Sequence, residues 1–160
     1  MDARPYTCEI ALRWADMDAF GHVNNVDFLR LLEQARVVGF RDWFAGTGIN
    51  LLATGIVVAR HEIEYLAPLE YRRAPVAIDM WVQDISGASF ELGYVLRDPT
   101  GPGPDAGGAE GAERVYCLAE STMVTFDFAS GRARRLTDGE RGVLGGVFGE
   151  PVPLRRRAAT

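Results

Sequence analysis

The chain contains no lysine: all 17 of its basic residues are arginine. Schiff-base chemistry, a Walker lysine and a Ser-Lys dyad are therefore excluded. Cysteine and histidine are scarce, with two of each. Cys8 and Cys117 are far apart and belong to no paired-cysteine motif, so both read as free thiols in a reducing compartment. A zinc site would need His22, His61, Cys8 and Cys117 all to converge, and no metal is expected. Positive charge is in deficit, with a net charge of -5; nucleic-acid binding, which needs a basic surface, is not expected. No apolar run approaches the ~20 residues that cross a bilayer. The opening MDARPYTCEIALRW lacks the basic-then-apolar order of a signal peptide, and the expected location is cytoplasmic.

What is present is the material of a globular protein: 48% hydrophobic and 24% charged residues in a chain of 160, which fits one domain with a sizeable core. The expectation is a single domain over 1–160. Residues 6–14 alternate, with Tyr6, Cys8, Ile10, Leu12 and Trp14 on one face, as in a half-buried strand. Asp16, Asp18 and Gly21 break the pattern, and 15–24 reads as a loop. Over 25–41 the period changes: Phe28, Leu29, Leu32, Ala35, Val38 and Phe40 recur at helical spacing, and Leu31 and Val37 widen the stripe. Strands are then expected over 56–66 (Val57, Ala59, His61, Ile63 and Tyr65 on one face), along Val76, Ile78, Met80 and Val82, along Phe90, Leu92, Tyr94 and Leu96, and over 114–126. A tight turn at Ser86-Gly87 makes the middle two a hairpin. The Gly, Pro and acid stretch 98–111 reads as a loop insertion, a short helix is expected near 138–144, and 146–160 reads as a tail whose Arg155-Arg156-Arg157 run frays. One long helix followed by four strands is an α+β pattern: an antiparallel sheet of about five strands curved around one helix. Pairing two such sheets about a two-fold axis would cover an edge, so a homodimer or homotetramer is expected.

The informative segment is 13–36, RWADMDAFGHVNNVDFLRLLEQAR. It holds the acid pair Asp16-Met17-Asp18, then Gly21, Asn24-Asn25 at the helix start, and Glu33-Gln34-Ala35-Arg36. Two further stretches accompany it: Glu62-Ile63-Glu64-Tyr65-Leu66-Ala67-Pro68-Leu69, and Val124-Thr125-Phe126-Asp127 with Gly131. Together these resemble the 4-hydroxybenzoyl-CoA thioesterase-like branch of the hotdog superfamily, over roughly residues 6–137 apart from the Gly/Pro insertion.

The resemblance implies hydrolysis of an acyl-CoA to a free acid and coenzyme A, with no cofactor, since coenzyme A is part of the substrate. It implies that Asp18 is the catalytic carboxylate, as nucleophile or general base. It also places the oxyanion donor seven residues later, at the backbone N–H of Asn25, where a helix start leaves amides free. Asp16 is expected to be structural. His22 either contacts the thioester or holds the loop through a ring hydrogen bond. Phe20, Phe28 and Leu32 suggest an apolar acyl pocket, Gly21 and Asn24 are further expected substrate contacts, and Arg60, Arg72 and Arg73 are candidates for the phosphates of coenzyme A. Glu33 is expected to pair with Arg36 or Arg30, and His61 to be a satisfied core histidine.

Other functions are consistent with the same scaffold. The stretch from Asp18 to Val26 also resembles plant acyl-carrier-protein thioesterases, but Phe20 stands where their catalytic Asn would be. Hydratases and dehydratases of this fold space their His five positions after the Asp around an Asn-Pro element, whereas His22 is four after Asp18. A non-catalytic acyl-CoA binder is the remaining alternative. The acyl chain length and the carrier of the thiol are not legible.

Overall fold

A computed structural model describes residues 5–99 and 114–155. The chain runs β1 (Tyr6–Ile10), α1 (Asn25–Trp43), α2 (Leu51–Thr54), β2 (Ile56–Tyr65), β3 (Val76–Ile85), β4 (Ser89–Arg97), β5 (Val115–Asp127), β6 (Arg132–Ala133) and α3 (Asp138–Gly145). The sheet order is β1-β3-β4-β5-β2, all antiparallel, with β6 attached to β5. Most of the expected insertion at 98–111 lies outside the described residues, as do Arg156 and Arg157.

Alternation builds the core. Val76, Ile78, Met80 and Val82 of β3, and Phe90, Leu92, Tyr94 and Leu96 of β4, are all fully buried. They meet Phe28, Leu31, Leu32, Ala35 and Phe40, the apolar stripe of α1, in one cluster. Inward-facing strand residues thus cover one long helix, as the two periodicities require.

Three expectations need correction. The first strand ends at Ile10, and Trp14, 77% exposed, begins a short 3₁₀ turn, Trp14–Asp16. In β2 the pairing with β5 shifts between Val58 and Arg60. This bulge inserts one residue and reverses the alternation, so Ile56 and Ile63 both pack against the core despite their odd spacing. The tail is also more ordered than expected. Val82 N–H donates to Val147 O and Gly149 N–H to Val82 O, Trp81 Nε1–H donates to Glu150 O and Val152 N–H to Gln83 Oε1, and Val152 and Leu154 are buried.

Gly55 turns the chain from α2 into β2 at φ +108, where a Cβ would run into the backbone carbonyl of Phe126. Both the dihedral and the contact exclude a side chain. Gly55→Ala is expected to cost about 2 kcal/mol or more, measured as a fall in the denaturant midpoint at unchanged slope.

Candidate active site

The loop between β1 and α1 is organised by its two acids, each with a different task. Asp16 is completely buried. Its carboxylate accepts from the Arg13 N–H and the Arg13 Nε–H, both at 2.8 Å, and forms an ion pair with Arg30 of α1 at 2.6 Å. Its carbonyl accepts from Asn24 N–H at 2.8 Å. Asp16 therefore ties the loop to the first turns of the helix. Burial by itself would raise its carboxyl, but the Arg13 hydrogen bonds and the Arg30 charge more than offset this and hold it below the ordinary carboxylate value. Asp16→Asn is expected to cost roughly 3 kcal/mol of stability near neutral pH, because the buried partner of Arg13 and Arg30 loses its charge and both guanidinium groups are left to share Asp27. A carboxylate held low in the folded state contributes fully above its unfolded value of ~3.9 and loses that contribution as pH falls through the folded value. The gap between wild type and Asp16→Asn in thermal unfolding should therefore narrow on acidification.

Asp18 opens a small hairpin. Its N–H donates to His22 O at 2.8 Å, Met17 pairs with Val23, and Gly21 turns the chain at φ +80. Its Oδ1 accepts from Phe20 N–H at 2.8 Å and His22 N–H at 3.2 Å. Among the described residues nothing donates to its second oxygen, Oδ2. One oxygen fixes the carboxylate, and the other is unengaged. The hairpin is docked beside the stretch after β2: Val23 N–H donates to Leu69 O at 2.7 Å, and His22 pairs with Glu70.

The start of α1 follows at once. Asn24 is the N-cap, its side-chain oxygen accepting from Val26 N–H at 3.1 Å. Asp27 and Phe28 N–H both donate to Asn24 O. The N–H of Asn25, the first helical residue, donates to no acceptor among the described residues. It carries the positive end of a 19-residue helix. The Asn25 carbonyl accepts from Tyr65 Oη–H at 2.9 Å, and the Tyr65 ring stands edge-on to Phe28 at 5.2 Å. Tyr65 thus fixes the helix start to the end of β2. The sequence placed Tyr65 on the same face of β2 as His61 and Ile63 but carried no signal that its hydroxyl reaches a carbonyl of α1.

The other expected site residues scatter. Phe20 is 84% exposed at the tip of the hairpin. Phe28 and Leu32 are core residues, 3% and 0% exposed, and offer no surface to an acyl group within one chain; their position on the innermost stripe of α1 is the reason. Asn24 serves as a cap. The His22 ring makes no hydrogen bond among the described residues, so the loop is held by the His22 backbone instead. Arg60 is engaged by Glu120 at 2.8 Å and by Glu62. Arg72 is engaged by Asp98 at 2.6 Å and by the Tyr116 hydroxyl at 3.1 Å. Arg73 is exposed and makes no ion pair among the described residues. Glu33 is also exposed and does not form the expected pair: Arg30 turns to Asp27 and Asp16, and Arg36 turns inward to the Tyr94 hydroxyl at 3.4 Å. His61 is half-buried, with Nδ1 2.7 Å from Ser121 Oγ. Burial first, and then the Arg36 charge, lower its imidazole below the ordinary value, with Glu33 acting in the opposite direction. Cys8 and Cys117 are free, and burial pushes the Cys117 thiol up to about 12, so it is unreactive. Among the described residues no three His, Cys, Asp or Glu side chains converge as a metal site. No helix among them is long and apolar enough to cross a membrane.

A family model described as the thioesterase-like superfamily matches residues 12–154. No curated protein sequence matches the chain. Among solved structures, a protein of Bacillus stearothermophilus described as a predicted thioesterase is 22% identical, with a TM-score of 0.72 over 91% of this chain and 98% of that one. A Thermus thermophilus thioesterase, solved with coenzyme A and zinc, is 24% identical, with a TM-score of 0.70 over 94% and 99%. A 1,4-dihydroxy-2-naphthoyl-CoA thioesterase of Synechocystis is 17% identical, with a TM-score of 0.66 over 88% and 95%. These likenesses establish the hotdog fold.

Proposed function

The chain belongs to the thioesterase-like superfamily and is a thioester hydrolase, and we propose that it hydrolyses acyl-CoA esters at a site made by Asp18 and the Asn25 N–H. The observation that carries this reading is the pairing of a carboxylate with one free oxygen and a helix-start amide with no acceptor, seven residues apart on one braced loop. Coenzyme A bound to the Thermus thermophilus relative supports the choice of thiol carrier.

In the reaction, Asp18 Oδ2 either takes a proton from a water that adds to the thioester carbonyl, or itself adds to that carbonyl to give an anhydride that water then opens. In both routes the carbonyl oxygen becomes negative and is held by the Asn25 N–H and the helix dipole. Collapse re-forms the C=O bond and expels the thiolate of coenzyme A, a good leaving group that needs no strong general acid. His22, beside Asp18 in the hairpin and free at its ring, is a further candidate for contact with the thioester. Of the three arginines considered for the phosphates, Arg73 is the one assigned here, because the docking of His22 on Glu70 brings its segment beside the loop and its guanidinium is not already engaged.

β2 is one edge of the sheet, and a ten-residue edge invites pairing. We assign it to a second copy, and sedimentation should give a dimer or tetramer; a monomer at micromolar concentration would contradict this. The activity itself is tested by release of free thiol from a panel of short, long and aromatic acyl-CoAs. Turnover of at least one class is expected. Tight binding across the panel with no thiol released would instead favour a non-catalytic binder.

A further inference from the structure

The chain leaves α1 at Phe44 and turns at once into α2. Thr47 pins this turn: its hydroxyl donates to Phe44 O at 2.7 Å and accepts from Ile49 N–H at 3.1 Å. The four residues of α2 are thereby laid beside the last turns of α1 without filling the angle between them. A cavity of about 170 Å³ remains. It is lined by Phe40, Phe44 and Leu51, all buried, and by the exposed Leu52.

Two polar side chains, Arg41 and Asn50, line the same cavity, and both have donors to spare. The Asn50 oxygen caps α2 by accepting from Ala53 N–H at 3.1 Å, and its Nδ2 donates to no acceptor among the described residues. Arg41 makes no hydrogen bond or ion pair among the described residues. The adjacent acid, Asp42, is turned to the Tyr6 hydroxyl instead. Arg41 stands in the last turn of α1 and so complements the helix C-terminus, but that interaction is diffuse and leaves its guanidinium donors unpaired.

An apolar cavity with two unpartnered donors, one of them a cation, matches a ligand with an apolar body and an anionic acceptor. Its size sets the body: an apolar cavity of about 150 Å³ holds one benzene ring. We propose that this cavity binds a small apolar monocarboxylate of about the size of benzoate. The carboxylate is held by Arg41 and Asn50 Nδ2, and the body packs on Phe40, Phe44 and Leu51. Arg41 and Asn25 are separated by about 24 Å of helix axis, so this site is distinct from the one proposed for hydrolysis and stands without the acyl-CoA reading. A carboxylic acid is also what a thioester hydrolase releases, so the site takes the same class of compound as the reaction produces.

Benzoate is titrated into the full chain and followed by backbone amide NMR, with benzamide as the uncharged isostere. Saturable shifts are expected at the amides of Ile49, Asn50, Leu51 and Leu52, with a Kd of about 0.1–1 mM. Benzamide should bind at least about tenfold more weakly. Arg41→Met removes the charge from an exposed side chain and should weaken benzoate by a similar factor, with the thermal midpoint unchanged. Asn50→Asp keeps the oxygen that caps α2 but replaces the free donor with an acceptor, and should also weaken benzoate. Absence of saturable shifts at these amides up to about 10 mM benzoate, equal binding of benzoate and benzamide there, or full affinity in Arg41→Met overturns the proposal. The comparison of benzoate with benzamide on the unaltered chain decides the matter even if a variant fails to fold. Shifts confined to the loop around Asp18 and Asn25 place benzoate in the hydrolytic site and also overturn it.

Discussion

Asp18→Asn is expected to fold as the wild type does and to release thiol from acyl-CoA ~10²- to 10⁴-fold more slowly. The amide oxygen can still accept from the Phe20 and His22 N–H groups, which is the structural task of Oδ1. The hairpin and the thermal midpoint should therefore hardly change. What is lost is the negative charge on the second oxygen, the proton acceptor or nucleophile of the proposed routes. KM should move little if the acyl group and coenzyme A are held elsewhere. A variant that retains the wild-type rate would show that Asp18 only shapes the loop, in which case its two backbone bonds are its whole role.

The second large effect concerns a backbone atom. Asn25→Pro deletes one N–H and little else. Position 25 is the first residue of α1, where proline is favoured because its nitrogen has no intrahelical duty. The preceding residue, Asn24, already has φ -60 and ψ 141, the extended conformation that a following proline requires. The cap on Val26 and the Tyr65 bond to the Asn25 carbonyl can both persist. Helix content and stability should be maintained, while kcat falls ~10²- to 10³-fold through loss of an oxyanion donor. An alanine at the same position keeps the N–H and should be close to wild type in rate. This contrast separates the backbone amide from the Asn25 side chain, and no surface role predicts it.

The parts of this molecule that could be read from its sequence are those governed by local periodicity. The apolar stripe of α1 and the alternation of β3 and β4 place Leu32, Val82 and Leu92 in the core because burial acts on each element separately. Thr137 and Glu140 form a capping box at the start of α3, which lies where a helix was expected. The features that could not be read depend on contacts distant in sequence. The bulge at Ala59 leaves no mark in composition, yet it reverses the faces of half a strand. Arg60 is taken by Glu120, 60 residues away, and Arg72 by Asp98, just beyond the end of β4, so neither guanidinium is free for a phosphate. Phe28 has the apolar character of a pocket wall, but the pitch of the helix turns it into the core. In the site, the acid pair and the helix start were legible as a motif. Their division of labour, with Asp16 as brace and Asp18 left with a free oxygen, follows from which arginines and amides reach each carboxylate.

In the proposed site a thioester carbonyl lies between Asp18 and the first amide of α1. A structure of the Asp18→Asn protein holding an uncleaved acyl-CoA tests it most directly. The carbonyl oxygen should lie about 3 Å from the Asn25 nitrogen, with its carbon facing the side chain at position 18. An acyl-CoA bound with its carbonyl remote from that nitrogen would contradict the account.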